Sequence, residues 1–177
     1  MKKVWIFTAV LLVITVLAGC ASVKPQTVRD LTVQIPSSLQ VQEKSDGFQA
    51  KTEKDEIAGL QIITGSENNP LEMTSEEYTS YTDENGKTIG DSILESAVAA
   101  RGDSTKVLLN EKITVAGLPA VHVKYSFNKE TYGLIYRDEL SLLYKGVIYE
   151  ISRQWSDKTS SSVSKALEAV VTSIQFK

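Results

Sequence analysis

The chain has 177 residues, with 19 basic and 22 acidic side chains and a formal net charge of −3. This balance argues against a nucleic-acid partner, because phosphate binding requires a clustered basic surface. One cysteine and one histidine cannot supply the ligands of a zinc site, so we expect neither a metal nor another cofactor.

The first residues have the layout of a signal peptide. Met1-Lys2-Lys3 is a short basic head, and the run from Val4 to Leu17 is apolar apart from two threonines. This run is shorter than the roughly 20 residues that a membrane-spanning helix needs. We therefore expect residues 1–19 to be removed rather than kept as an anchor.

Leu17-Ala18-Gly19-Cys20 ends the apolar run and resembles a lipobox, the recognition site for bacterial lipoprotein maturation. The resemblance implies that signal peptidase cleaves between Gly19 and Cys20, that the Cys20 thiol carries a diacylglyceryl group, and that the freed amine is often acylated. Two or more acyl chains hold a protein at a membrane almost permanently. The resemblance thus implies a lipid-anchored protein on the extracytoplasmic face of the cell membrane. The alternative is an ordinary secretory peptide with an unmodified thiol.

The rest of the chain divides into a tether and one domain. Residues 20–30 are polar and aperiodic and contain Pro25, which predicts a flexible tether. Residues 31–177 have a length typical of a single domain with its own core. Because the only thiol is assigned to lipid, the domain has no disulfide and depends on packing.

Alternation of apolar and polar residues predicts strands at the start of the domain. Residues 31–35 alternate strictly and end at Pro36, and residues 39–41 continue the spacing. A short strand is predicted around Phe48, and a longer one over residues 57–64.

Helical spacing replaces alternation in the middle of the chain. Thr74 and Glu77 match a capping box and predict a short helix. Asn85-Gly86 predicts a turn, and an apolar stripe over residues 89–100 predicts a second helix that ends at Gly102.

The second half is rich in strands, predicted over residues 106–109, 113–115, 121–127, 132–144 and 147–155. The last two form a long hairpin about Lys145-Gly146. A closing helix follows serines 160–162 and runs toward Ile174. The predicted fold class is α+β, an antiparallel sheet of about six or seven strands covered by helices.

This order of elements is similar to the PsbP-like α/β/α sandwich group. The likeness rests on Ile35-Pro36-Ser37-Ser38, Val115-Ala116-Gly117-Leu118-Pro119-Ala120, the hairpin that carries Tyr149, and Ser173-Ile174-Gln175-Phe176. The group includes an extrinsic subunit of photosystem II, a Ran-binding factor and bacterial lipoproteins. Its members mostly bind proteins and share no catalytic residue set, so the resemblance implies a non-enzymatic module with an envelope protein as partner.

Few residues are candidates for chemistry. His122 lies with Lys124 and Ser126 on the expected solvent face of a strand, so we predict an exposed histidine without a catalytic role. Arg101-Gly102-Asp103 falls at a predicted helix end rather than on an adhesive loop. An acidic run between residues 67 and 84 contains no lysine or arginine, and we expect it to form a solvated face that binds no metal. Its members are Glu67, Glu72, Glu76, Glu77, Asp83 and Glu84.

The tyrosines allow two interpretations. We expect most of them to pack in the core with their hydroxyls at its edge. The alternative is a surface cluster that anchors a partner. The residues concerned are Tyr78, Tyr81, Tyr132, Tyr136, Tyr144 and Tyr149.

Three hypotheses for function follow. The first is a lipid-anchored, non-enzymatic interaction module of the cell envelope. The second is a small-ligand-binding lipoprotein, which a deep apolar pocket with convergent polar groups would favour. The third is a carboxylate-based hydrolase, which two carboxylates facing each other in a cleft would favour.

The lipid anchor gives the first testable prediction. Cys20→Ser removes the sulfur to which the lipid would be attached. We therefore expect the variant to remain an uncleaved, unlipidated precursor. Intact-mass measurement and detergent partitioning of the variant check this. Normal maturation of the variant would contradict the lipobox assignment.

Overall fold

A computed structural model describes residues 22–65, 71–102 and 104–177. The signal peptide and the lipobox, including Gly19 and Cys20, lie outside the described residues. The elements in chain order are β1 (Val23–Val28), β2 (Leu31–Pro36), β3 (Gln40–Lys44), β4 (Gly47–Thr52), β5 (Asp55–Thr64), α1 (Ser75–Ser80), α2 (Ile89–Arg101), β6 (Lys106–Val115), β7 (Leu118–Lys129), β8 (Gly133–Tyr144), β9 (Val147–Ser156), α3 (Ser161–Thr172) and β10 (Gln175–Phe176).

The described strands form two sheets. The larger has seven antiparallel strands in the order β3-β4-β5-β9-β8-β7-β6, with β9 at its centre. The smaller has the order β1-β2-β10. The α+β class and the antiparallel sheet that the sequence predicts are confirmed. The strands predicted over residues 106–109 and 113–115 are one strand, β6.

Alternation along the strands divides the large sheet into two faces. Ala120 packs in the cluster that includes α3 and β2, whereas Val121 and Val123 pack with α2. We call these faces the α3 side and the α2 side. The α3 side holds the main core, in which Phe48 and Tyr149 are completely buried. Full burial of such a side chain contributes about 1.5–3 kcal/mol.

The helices on the α2 side are fixed by capping boxes. Thr74 Oγ1 accepts a hydrogen bond from the Glu77 backbone at 3.1 Å, and the Glu77 carboxylate accepts one from the Thr74 backbone at 2.7 Å. Thr88 and Asp91 make the same exchange at the start of α2. The capping box predicted for α1 is confirmed, and Gly102 ends α2 with φ at 77°.

The prediction of a flexible tether over residues 20–30 is wrong for Val23–Val28. This segment is β1, paired antiparallel with β2 at the edge of the small sheet, so the folded domain includes Val23–Val28. Pro25 is compatible with an edge strand, where one side of the backbone needs no donor. The side chains of β1 are mostly exposed, so their sequence carries no apolar period.

Gly47, at the start of β4, is essential for the close approach of β4 and β5. A Cβ atom there would lie 1.9 Å from the backbone oxygen of Ile62.

We expect Gly47→Ala to lower the free energy of unfolding by about 2–3 kcal/mol through overpacking. Urea denaturation measures this. The matched control is Gly65→Ala, whose Cβ would meet Ile148 at an ordinary 3.7 Å; equal losses in the two variants would contradict the packing.

Candidate functional site

A cluster of charged side chains lies on the α3 side, where β7, β8 and β9 run side by side. Asp138 is buried, with a residue exposure of 5%, and accepts hydrogen bonds from Arg153 Nε at 2.8 Å and Nη2 at 2.6 Å. Its other carboxylate oxygen pairs with His122 Nε2. His122 Nδ1 lies 3.5 Å from a Glu111 carboxylate oxygen. Both oxygens of the buried carboxylate are therefore matched by cationic donors.

The partners in this cluster shift each other's pKa. The hydrogen bond to Asp138 raises the pKa of His122; partial burial opposes this shift, and the Asp138 and Glu111 charges reinforce it. Burial raises the pKa of Asp138, but His122 and Arg153 outweigh it, so the pKa lies below its ordinary value. The cluster therefore favours a charged imidazolium beside an ionised carboxylate.

The expectation that His122 is exposed is wrong. Its side chain is 18% exposed and it pairs with two carboxylates. The sequence analysis did not identify Asp138 as a partner of His122. Asp138 lies on β8 directly opposite Lys124 of β7, so these two side chains lie on the same face of the sheet. His122 is two residues from Lys124 on β7 and therefore lies on that face as well.

An apolar recess of about 380 Å³ opens beside the charged cluster. It lies between the turn that joins β6 to β7 and the C-terminal end of α3. His122, Asp138 and Arg153 line part of it, but they satisfy one another, so the remaining surface is mainly aliphatic. The aliphatic side chains are those of Ile113, Val115, Leu140, Ile151, Val171 and Ile174.

Aromatic and cationic side chains continue this surface along β7, β8 and β9. The rings of Tyr136 and Trp155 stack with centroids 5.7 Å apart. Lys124 Nζ lies 5.3 Å from the Trp155 ring centroid, and Arg153 Cζ lies 5.2 Å from it. Arg153 thus joins the charged cluster to the aromatic pair. We call His122, Lys124, Tyr136, Arg153 and Trp155, all partly exposed, the α3-side surface.

A second concave region, the α2-side groove, lies on the opposite face of the sheet and has a volume of about 480 Å³. Its floor is polar and comes from β5, β8 and β9. Arg137 Nε lies 2.6 Å from a Glu139 carboxylate oxygen, which also accepts a hydrogen bond from the Tyr125 hydroxyl at 2.7 Å. Ser92, Ser96 and other small residues of α2 form one wall.

The other candidates from the sequence lie apart from the α3-side surface. No group of three acidic, histidine or cysteine residues arranged for a metal occurs among the described residues. Arg101 packs 4.4 Å above the Phe127 ring at the end of α2, while Asp103 and Glu67 lie outside the described residues. Tyr78 and Tyr149 are buried as expected, whereas Tyr81 is 50% exposed.

Comparison with known proteins identifies the fold of this chain but not its function. No family model and no curated protein matches the chain. The solution structure of CyanoP, the PsbP protein of the cyanobacterium Synechocystis, matches with a TM-score of 0.60 and 10% identity over 90% of this chain and 95% of that one. This likeness confirms the predicted PsbP-like fold.

Two further solved structures share the fold. LpqN of Mycobacterium tuberculosis, described as involved in cell envelope biogenesis, matches with a TM-score of 0.52 and 10% identity over 89% of this chain and 92% of its own. A Bacteroides thetaiotaomicron protein matches with a TM-score of 0.55 and 11% identity over 89% of this chain, but over only 48% of its own length. In the part of this chain that is described, every helix is too short or too polar to cross a bilayer.

The charged cluster predicts a raised histidine pKa that NMR can measure directly, because the chain has a single histidine. We expect His122 to titrate above the ordinary value of about 6.5 and Asp138→Asn to lower its pKa more than Glu111→Gln does. Since folding raises this pKa, the pairing stabilises the fold below about pH 6.5 and its contribution fades as the pH rises through the raised value. Titration of His122 at or below the ordinary value would contradict the cluster.

Proposed function

We propose that this protein is a lipid-anchored module of the bacterial cell envelope that binds another envelope protein and catalyses no reaction itself. The observation that carries the proposal is the α3-side surface with its adjoining recess. The lipobox at Cys20 supports the anchor, and the PsbP-like fold is compatible with a binding role.

The α3-side surface has the composition of a protein-binding site. Tryptophan, tyrosine and arginine are the residues that most often dominate the energy of an interface, and Tyr136, Arg153 and Trp155 lie together here. The recess beside them offers an aliphatic pocket for an anchoring side chain. Lys124 gives the aromatic pair a positive charge that Asp138 does not neutralise, unlike that of Arg153, and this favours a partner with acidic side chains.

At the recess of the α3-side surface, the geometry favours a protein partner over a small ligand or a hydrolytic reaction. A small-ligand pocket holds polar groups that are free to orient the ligand. In the recess, Asp138 already accepts hydrogen bonds from Arg153 and pairs with His122. Those cations hold Asp138 ionised, so it is not the protonated carboxyl that a hydrolase uses as its acid.

The proposed lipid on Cys20 would hold the domain close to the membrane. Only Ala21 and Ser22 separate Cys20 from the first residue of β1. An extended chain of this length spans about 10 Å. A lipid on Cys20 therefore holds the domain against the headgroup layer, where its partner is a membrane-proximal protein.

Replacement of the central aromatic ring tests the proposed surface. We expect Trp155→Ala to reduce at least about tenfold the amount of partner protein recovered with the lipidated protein from crosslinked membranes of the native host, because the ring is the anchor of the interface. Quantitative mass spectrometry of the recovered proteins measures this.

The matched control is Tyr81→Ala, which removes an exposed aromatic ring from the opposite face. We expect this variant to recover the partner as the unmodified protein does. High salt added before the crosslinking step should lower the recovery by the unmodified protein. Equal recovery by Trp155→Ala and the unmodified protein would exclude the α3-side surface.

A further inference from the structure

The fold fixes the point at which the chain leads from the domain to Cys20. The Ser37 backbone N–H donates a hydrogen bond of 2.8 Å to the Ser22 backbone oxygen, and Val23 pairs with Pro36. The start of β1 is therefore held beside the connection between β2 and β3. One residue separates Ser22 from Cys20, so the chain can carry Cys20 at most about 7 Å beyond this point.

Several connections of the large sheet lie at this same end of the domain. A concave region of about 310 Å³ is lined by residues 37–38, by Lys54 of the turn between β4 and β5, and by Ser162 at the start of α3. The Asp157 backbone N–H donates to the Leu134 oxygen at 3.2 Å, which brings the turn between β7 and β8 beside the end of β9. We call the exposed surface formed by residues 22–24, 37–38, 53–54, 129–131, 157–158 and 160–162 the β1 end.

The β1 end is rich in hydroxyl groups and carries a small positive charge. Its four lysines, at positions 24, 54, 129 and 158, face three carboxylates, at positions 53, 130 and 157. Seven serine and threonine side chains accompany them. The chain without residues 1–19 is acidic, with 17 basic and 22 acidic side chains, so the excess of carboxylates lies elsewhere on the domain.

The acidic helix α1 begins at the opposite end of the large sheet. The Leu71 backbone N–H donates to the Gly146 oxygen at 2.8 Å, and Ser75 Oγ donates to the Leu143 oxygen at 2.6 Å. Both acceptors lie at the hairpin turn between β8 and β9. An anionic membrane surface attracts lysines and repels carboxylates, so it disfavours this end and accepts the β1 end. The exposed carboxylates near this turn are Glu72, Glu76 and Glu77.

We infer that the β1 end docks on the membrane and contacts phospholipid headgroups directly, with its lysines at phosphate oxygens and its hydroxyl groups in the hydrated headgroup layer. This inference rests on the proposed lipid anchor at Cys20. It orients α3 with its start at the membrane. A helix of 12 residues is about 18 Å long, so the recess at the C-terminal end of α3 opens up to about 18 Å farther from the lipid. The partner reaches that recess with its extracytoplasmic part.

Paramagnetic relaxation on a nanodisc tests this orientation. The mature protein, residues 20–177, is coupled through the Cys20 sulfur to a maleimide-bearing lipid in nanodiscs of phosphatidylethanolamine and phosphatidylglycerol. A fraction of the headgroups carries a gadolinium chelate. We expect the relaxation enhancement at the amides of Ser37 and Lys158 to exceed that at Gly146 at least about tenfold, because it falls steeply with distance and α3 alone spans about 18 Å.

A matched pair of charge reversals tests the contact with headgroups. We expect Lys54→Glu to lower the enhancement at Ser37 at least about twofold, because the new carboxylate is repelled by the phosphates. Lys44→Glu, which changes an exposed lysine at the opposite end of the sheet, should leave the enhancement unchanged. Equal enhancement at the two ends, or equal effects of the two variants, would overturn the docking.

The coupling separates this test from the proposed function. The maleimide supplies the anchor chemically, so the measurement is independent of whether the native host attaches lipid to Cys20. An unmodified thiol in native material would contradict the proposed function and leave the nanodisc result unchanged.

Discussion

The register of the hairpin formed by β8 and β9 is the constraint on which both candidate sites depend. Lys145 and Gly146 form its two-residue turn with φ values of 49° and 76°, the left-handed conformation that matches the twist of the two strands. This turn sets Asp138 opposite Arg153 and Ser141 opposite Glu150. A slip of one residue would exchange the faces of every side chain and destroy both sites.

The sequence predicts those features that depend on neighbouring residues and misses those that depend on which strands meet. Alternation over residues 121–127 and the capping box of α1 are local patterns, and both are confirmed. The strand at Val23–Val28 was missed because it is held by backbone pairing at an edge and buries few side chains. The partner of His122 lies 16 residues away on the next strand, and only the register of β7 and β8 brings Asp138 to it.

The central strands carry polar side chains on both faces, which is unusual for the middle of a covered sheet. On the α3 side this polarity is self-compensated, because Asp138 is neutralised by His122 and Arg153. On the α2 side, Glu139 is paired with Arg137 and accepts a hydrogen bond from the Tyr125 hydroxyl, whereas the Glu150 side chain is exposed. The α3-side arrangement builds a surface with an aromatic pair at its edge. Departures from simple packing in the middle of a fold are where function is expected.

The central claim is that the α3-side surface, and not the opposite face of the sheet, contacts the protein partner at the membrane. Site-specific photo-crosslinking in the native host tests it most directly, with a photoreactive residue in place of Lys124 on one face or Gln61 on the other. The account predicts a discrete protein adduct from position 124 and none from position 61. An adduct from position 61 without one from position 124 would contradict it.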